Sequence, residues 1–365
     1  MKFETNTEQL FTAAGIAGRF AERRANLPAL SSILIVAEGG RLLLRATNLE
    51  CGVEIVVPAK VSSDGVVAVP AGVLNGFLSN ARGKVVSGIL EGEVLKMEAD
   101  RATAAMKTIP HEDFPILPRV SAEKTFTIKG TDLSRAIRNV AYCASTSTVK
   151  PELQSVLLYG DGGKLFVVAT DSFRLAEKAV PLRAGGTVPQ LLLPARNAAE
   201  LMRILDTVTG EVDLYYNDNQ LSTHIDHVYY TSRLIDGTFP NYRQIIPKTF
   251  LTEAVVLRED MATALKSLSV FADKFSQVTL AIEPVKKSLA LSSRNPDVGE
   301  QTTALRATIS GDEATMSFNG RYLADSLQAI NGESVRLHAN GAGKPMLIKD
   351  AADESFFYLA MPMNR

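Results

Sequence analysis

One stretch of this chain recurs three times, and that recurrence constrains the fold more than any single motif. Leu10 to Ala21 reads LFTAAGIAGRFA, with Leu10, Ala13, Ala14, Ala17 and Phe20 at helical spacing on one apolar stripe. At Leu133, 123 residues on, LSRAIRNVAYCAS carries Leu133, Ala136, Ile137, Val140 and Ala144 in the same phase. At Met261, another 128 residues on, MATALKSLSVFAD carries Met261, Ala264, Leu265, Leu268 and Ala272. Self-similarity at a fixed long period implies an array of like units.

The neighbours of each helix repeat at the same offset. Ser32 to Thr47 reads SILIVAEGGRLLLRAT, and Ser155 to Thr170 reads SVLLYGDGGKLFVVAT, again 123 residues apart and without a gap. Each is two β-rich apolar runs around Glu-Gly-Gly-Arg or Asp-Gly-Gly-Lys, a tight hairpin signal. A third copy, Val278 to Asn295, has a longer turn at Glu283 to Lys287. A second helix follows each time: Val69 to Ala81, Leu193 to Asp206 and Phe318 to Ile330. Pro70 and Pro194 sit where a first helical turn tolerates proline. Closing segments match too, IPHEDFP from Ile109 and IDGTFP from Ile235. Single amphipathic helices are common, but several element types in one order at one offset are not. The chain has 365 residues, whereas single cores seldom grow past ~250–300 residues. Three domains are therefore expected, 1–121, 122–248 and 249–365.

Hydrophobic residues make up 46% and charged residues 22%, the balance of an ordinary globular protein. No apolar run reaches the ~18 residues of a membrane span. The start enters a strand pattern without the apolar core of a signal peptide. Cys51 and Cys143 have neither ligand spacing nor a disulfide framework. Cytosol is the expected compartment. Net charge is −1, so only local distribution can favour a polyanion. The polar sides of the first helices carry Arg19, Arg23, Arg135, Arg138 and Lys266. The second helices and their ends add Arg82, Lys84, Arg196, Arg203 and Arg321, while Glu38, Asp64, Asp113, Asp161 and Asp236 fall in hairpins and closing segments. A solvated helix face explains any one of these sets. Recurrence argues for more, since Arg196 and Arg321 occupy one repeat position.

Catalytic chemistry is hard to find. His224 and His227 lie in LSTHIDHVYYTS, which reads as one strand, and a separation of three places them on opposite faces. Neither Cys-x-x-Cys nor His-Glu-x-x-His occurs. Gly160 to Lys164 lies between two strands and lacks the phosphate-loop pattern. Asp171 and Ser172 have no local histidine to activate a nucleophile. No metal, cofactor or catalytic set is expected.

The residues that carry a family likeness run the whole length. They are Met1-Lys2-Phe3, Leu27-Pro28-Ala29-Leu30, the run Ala169 to Ala176 (ATDSFRLA), the run Asp236 to Arg243 (DGTFPNYR), and Met361-Pro362-Met363. With the three repeats, the chain resembles the β sliding clamps, the processivity subunits of bacterial DNA polymerase III. The resemblance implies an α+β fold of three clamp domains, each with two helices packed on two antiparallel four-stranded sheets. Two chains would join head to tail as a ring homodimer, with twelve helices lining the hole. The implied role is a non-catalytic processivity factor that encircles double-stranded DNA. Its partners would be the replicative polymerase subunit, the clamp loader, and other polymerases and repair proteins bound through short peptide motifs, with no membrane. A repeat-built DNA-binding or scaffold protein that does not close into a ring is the alternative. A hydrolase with a split active site is a weaker one.

Family roles carry over residue by residue. The DNA-contacting arginine beside Leu-Pro-x-Leu falls on Arg24. A contacting glutamine falls on Ser147, two tyrosines on Pro151 and Glu152, and a basic residue on Gly72. Lys150, Arg82 and Arg196 are this chain's own candidates for DNA contact. The family's peptide pocket falls on Leu153, Thr170, Ser172, Phe173, Arg174 and Leu175, on Pro240, Ile245 and Pro345, and on Leu359, Met361, Pro362 and Met363. Ser172 stands where glycine is common and Phe173 where histidine is common, which bears on which peptides fit. Arg174 is expected at the rim. The subunit contact is expected between Ala104–Thr108 and Ser269–Lys274.

Overall fold

The structure is a computed structural model that describes residues 1–22, 27–121 and 124–363. The first two repeats run strand, helix, four strands, helix, three strands, and the third has five strands between its helices. The first is β1 (Lys2–Asn6), α1 (Thr7–Phe20), β2 (Ser32–Glu38), β3 (Arg41–Thr47), β4 (Cys51–Ser63), β5 (Gly65–Pro70), α2 (Ala71–Leu78), β6 (Val85–Glu91), β7 (Val94–Ala99) and β8 (Ala102–Lys107). The second is β9 (Thr125–Lys129), α3 (Gly130–Val140), β10 (Ser155–Asp161), β11 (Lys164–Thr170), β12 (Arg174–Pro181), β13 (Val188–Pro194), α4 (Ala195–Leu205), β14 (Glu211–Tyr216), β15 (Gln220–Ile225) and β16 (Val228–Arg233). The third is β17 (Thr252–Leu257), α5 (Arg258–Leu268), β18 (Gln277–Glu283), β19 (Ser288–Asn295), β20 (Gly299–Arg306), β21 (Thr308–Gly311), β22 (Ala314–Asn319), α6 (Gly320–Gln328), β23 (Ser334–Ala339), β24 (Met346–Asp350) and β25 (Phe356–Ala360). In it, β20 and β21 together replace the single long strand β4. The break is at Ala307, and β21 pairs β17 as the far end of β4 pairs β1.

Local chemistry explains the elements. Asn6 caps α1 by accepting from the Gln9 amide at 3.0 Å, satisfying one of the first turn's unpaired donors. The apolar stripe Leu10, Ala13, Ala14, Ala17, Phe20 is buried, as are Leu133, Ala136, Ile137, Val140 and Met261, Ala264, Leu265, Leu268. The stripes stop one turn early, however. The chain tightens into 3-10 turns at Ala141–Cys143 and Ser269–Phe271, which changes the angular step per residue. Cys143 rather than Ala144 is therefore buried in the second copy, and Ala272 is only half-buried in the third. Both Gly-Gly hairpins turn through two residues at positive φ, 54° and 79° at Gly39 and Gly40, 56° and 74° at Gly162 and Gly163. That is the geometry for which two glycines suit a two-residue hairpin. Pro70 and Pro194 cap α2 and α4 from just outside the first turn.

One expectation about the elements needs correction. The segment around His224 and His227 is a hairpin, not one strand. Asp226 turns at φ 49°, so His224 is the penultimate residue of β15 and His227 lies in the turn. Ser269 to Lys274 is a 3-10 turn followed by a loop.

The chain divides into two compact units, Met1–Gly130 with Thr207–Leu234, and Thr131–Asp206 with Ile235–Arg365. In the first unit, β4 pairs β16, and the first repeat's strands join β14–β16 and β9 in one 12-stranded sheet. In the second, β12 pairs β25 within a 9-stranded sheet, and β20-β19-β18-β22 form a sheet of their own. The second repeat thus supplies one of its two sheets to each unit. Among the described residues, β8 ends its sheet with one edge open, and so does β20.

Candidate functional site

Within the second unit, the seam between β12 and β25 gathers most of the residues named from the resemblance. Leu175 lies opposite Leu359 across the ladder, and each is 1% exposed. Directly opposed side chains on one face form the contact unit of a sheet. The two leucines join a buried cluster with Leu157, Val168, Leu192, Phe239, Tyr242 and Leu347. The loop before β12 is tied by its own side chains. The Thr170 hydroxyl donates to the Arg174 carbonyl at 2.6 Å and accepts from the Ser172 amide at 3.2 Å. Asp171 Oδ1 accepts from the amides of Phe173 and Arg174, both at 2.9 Å. This turn forces Ser172 to φ 76° and leaves Phe173 64% exposed. The Phe173 carbonyl accepts from the Met361 amide at 2.9 Å, and the Met363 amide donates to the Ser317 carbonyl at 2.8 Å. The carboxy-terminal Met361, Pro362 and Met363 are thereby pinned beside the floor, half-buried.

The facing wall is the segment after β16. Pro240 is exposed and Ile245 is 47% exposed, on either side of buried Tyr242 in the 3-10 turn Tyr242–Ile245. Leu153 is buried in the turn Pro151–Gln154, and Pro345 precedes Met346, which opposes Ala360 on β25. Apolar floor, exposed apolar rim and methionine edge together make a surface suited to apolar anchors of varied shape.

Arg174 is not at the rim. Its side chain is 12% exposed and fully engaged. Nε donates to Asp171 at 3.0 Å, Nη1 to Asp325 at 2.6 Å and Nη2 to the Tyr142 carbonyl at 2.8 Å. The guanidinium also stacks 4.3 Å from the Tyr322 ring centroid. Five donors in a fixed fork suit such a clasp, which ties the pocket loop to α6. Sequence reasoning also missed Glu177, Tyr242 and Leu347. Leu347 lies in a run of buried apolar residues on β24, between Met346 and Ile348. Glu177 breaks the alternation expected of a strand this apolar, which was its only signal.

The basic side chains divide into free and committed ones. Arg24 and Arg23 lie outside the described residues. Arg196 and Arg321 are exposed at the second position of α4 and α6, where the helix dipole disfavours a cation. Gly72 holds that position in α2. Arg135 and Lys266 are also exposed, and Lys266 and Arg321 both line a cleft of about 310 Å³ between α5 and α6. Arg138 is different, because both Asp206 oxygens accept from it at 2.7 Å. Burial raises the Asp206 pKa, but Ser134 and Arg138 outweigh it and hold the carboxyl below the usual range. Arg203 is likewise paired, to Glu200. Arg138 and Arg203 thus drop out of the basic face. Ser147 and Lys150 are exposed in the loop before the Pro151–Gln154 turn, where Pro151 is exposed and Glu152 half-buried. In the first unit, Arg82 and Lys84 are exposed between α2 and β6. Among the described residues no three potential metal ligands cluster, and no helix is long and apolar enough to cross a membrane.

Three family descriptions match in order along the chain. They are the N-terminal domain of the DNA polymerase III beta subunit over 1–118, its central domain over 127–241 and its C-terminal domain over 243–364. The chain belongs to the DNA polymerase III beta subunit family. It is a sliding clamp, a non-catalytic processivity factor in DNA replication. It is 29% identical to the beta sliding clamp of Salmonella typhimurium over 372 residues, and 29% identical to that of Escherichia coli K12 over 370, with all of each chain covered. A sliding clamp from Pseudomonas aeruginosa bound to griselimycin superposes with TM-score 0.95 at 26% identity, all of both chains covered. A beta subunit from Thermotoga maritima does so with TM-score 0.95 at 25% identity, covering 100% of this chain and 99% of that one.

Proposed function

We propose that the groove over Leu175 and Leu359 is the clamp's tethering pocket. It would take short extended peptide segments of the replicative polymerase subunit, the clamp loader, and other polymerases and repair proteins. The observation that carries this is the buried cross-strand leucine pair lying beneath exposed Phe173, Pro240 and Ile245 and beside Met361. Burying one Leu or Phe side chain contributes about 1.5–3 kcal/mol. Two such anchors, offset by the ordering of the peptide, lead to affinity near about 1 μM. Removing Met361–Arg365 should abolish binding of a labelled peptide carrying Gln, Leu and Phe, measured by fluorescence anisotropy. Retained affinity would put the pocket elsewhere.

Two copies would close head to tail into a ring of six domains, built from the divisions 1–121, 122–248 and 249–365, around cytosolic duplex DNA. Open strands β8 and β20 support this, since unprotected edges invite aggregation unless covered. Light scattering should give a dimer, and the protein should stay on circular DNA but leave linear DNA. A monomer across micromolar concentrations would favour the open scaffold. DNA contact is assigned to Arg24, Arg82, Ser147, Lys150, Pro151, Glu152 and Arg196, to which the exposed Arg321 is added. Arg196→Ala with Arg321→Ala should weaken duplex binding equally for unrelated sequences and flatten its salt dependence, because phosphate contacts alone are involved.

A further inference from the structure

We infer that Glu177 is a positioning residue for peptide binding, fixing the wall of the pocket to its floor through the hydroxyl of Tyr242. The inference rests on the pocket reading above and adds to it the device that sets the groove's width.

The wall segment needs such a device. Between the end of β16 and β17 it has no ladder to hold it. Its backbone bonds to the sheet of β12 and β25 lie near its two ends: Ile235 donates to the Leu192 carbonyl at 2.9 Å, and Leu251 to the Ala339 carbonyl at 3.2 Å. Each lies several residues from Pro240 and Ile245, between which the bonds are local, Tyr242 to Pro240 at 2.7 Å and Gln244 to Asn241 at 3.3 Å. Near the pocket, side chains do the work. The Tyr242 hydroxyl donates to Glu177 Oε2 and lies 2.7 Å from the Tyr159 hydroxyl. Arg243 donates to Tyr159 through Nη2 at 2.6 Å and Nε at 3.2 Å, and its Nη2 lies 3.8 Å from Glu177 Oε2. Phe239 packs edge-on against the Tyr242 ring at 6.2 Å.

Glu177 is well placed to govern the groove. Residues two apart on a strand share a face, so it stands on the same face of β12 as Leu175. Its cross-strand neighbour on β25 is Phe357, two residues from Leu359. Floor and anchor are thus one rigid pair of strands. Glu177 is 7% exposed, and a charge so enclosed is retained at a cost unless its hydrogen bonds are met. Burial pushes its carboxyl pKa up, against the Tyr242 hydrogen bond and the Arg243 charge. An apolar residue would fill this site beside Phe357 more favourably. What the glutamate alone supplies is a directional bond to the residue midway between Pro240 and Ile245.

The test separates positioning from stability by using the full chain, a labelled peptide carrying Gln, Leu and Phe, and denaturant unfolding. Tyr242→Phe keeps the packed ring and removes only the hydroxyl. Affinity should fall about tenfold, the effect of one hydrogen bond to a charged group. Glu177→Leu with Tyr242→Phe removes both partners and leaves no orphan, so its unfolding midpoint should return to the wild-type value while affinity stays low. Glu177→Gln, whose Oε1 still accepts from Tyr242, should rescue affinity. Affinity that recovers along with the midpoint in the double variant, or that never falls in Tyr242→Phe, overturns the inference. Should Tyr242→Phe lose its fold, Tyr159→Phe reads the same link with a smaller fall, and no fall there overturns it equally. Failure of the wild-type protein to bind the peptide at all would instead sink the pocket itself.

Discussion

At the first seam β4 meets β16, and at the second β12 meets β25. The loop that enters each seam is built with the same bonds, 123 residues apart. Thr47 and Thr170 donate to the carbonyls of Cys51 and Arg174, and both accept from the amide two residues on. Asn48 and Asp171 each accept from the two amides that follow. Leu49 turns at φ 73° and Ser172 at φ 76°. Beyond the loop the seams part. Opposed to one another are Gly52 and Thr231 at the first, Leu175 and Leu359 at the second. The space over Gly52 is taken by the chain's own Leu117, whose Cδ2 lies 2.4 Å from where a Cβ would stand. One seam is filled by its own closing segment. At the other, the two leucines are buried in a cluster with Phe239 and Tyr242; this is the seam proposed above to take a peptide.

The glutamates differ just as sharply. Glu54 and Glu177 hold the same repeat position, each on the strand that forms its seam. Glu54 is bonded by Arg45 at 2.5 Å and Arg119 at 2.6 Å, and Arg119 also covers the Tyr229 ring at 4.0 Å. Burial raises its pKa, but the two arginines outweigh that and hold it below the usual range. Glu177 faces Val168 across its ladder where Glu54 faces Arg45, so burial prevails and its pKa is raised. The first closing segment is thus locked by charge, and the second by a neutral hydroxyl.

The largest effects should come from the fillers. Leu117→Ala and Leu175→Ala should each cost about 2–4 kcal/mol in denaturant unfolding, the usual range for a buried leucine. Only Leu175→Ala should also lower peptide affinity, by about 100-fold, since one anchor contact is worth about 1.5–3 kcal/mol. Equal losses of affinity in both would erase the distinction between a seam filled by Leu117 and one proposed to take a peptide.

Charge effects come next and have opposite signs. Arg119→Met leaves Glu54 buried with one partner, at a cost of about 2 kcal/mol at neutral pH. A lowered folded pKa gives stability that is present above the unfolded value of about 4.3 and lost as pH falls. The deficit of Arg119→Met relative to wild type should therefore shrink on acidification. At Glu177 the folded pKa is raised, so its contribution is greatest below the unfolded value and is lost as pH rises through the folded one. Glu177→Gln should match wild type in acid and gain on it, by about 1 kcal/mol or less, toward neutral pH. Unfolding midpoints across a pH series check both signs, and parallel profiles would contradict the assignment.

The smallest effect lies in the shared turn. Ser172→Gly relieves a left-handed conformation and should stabilise by about 0.5 kcal/mol after the added chain entropy is counted. Leu49→Gly should do about the same. A clear loss at either position would mean that the side chain matters more than the backbone there.

Much of this was written locally. Leu10, Leu133 and Met261 announce their helices because a 3.6-residue stripe is visible in a dozen residues. Gly39-Gly40 and Gly162-Gly163 announce their hairpins because few other residues accept two positive φ values in succession. The pocket residues around Leu175, Leu359 and Met361 were reached by likeness to a family, not by chemistry visible in the segments. Arg174 shows why. A lone arginine after a strand reads as a rim charge, and only the approach of Asp325, 151 residues away, turns it into a buried clasp. The His224–His227 segment failed on one left-handed residue, Asp226, that periodicity could not show.

What the sequence by itself determined is the repeat, the type and order of its elements, and the apolar faces they bury, because each depends on spacings of two to four residues. Only the tertiary structure decided that the second repeat divides its sheets between two units, that Leu117 fills one seam while Leu175 meets Leu359 at the other, and that two glutamates at one repeat position have their pKa values shifted in opposite directions. Each of those turns on register and desolvation between segments 50 to 200 residues apart, such as Arg119 on Glu54 or β12 on β25. Such pairings leave no periodic trace in either partner.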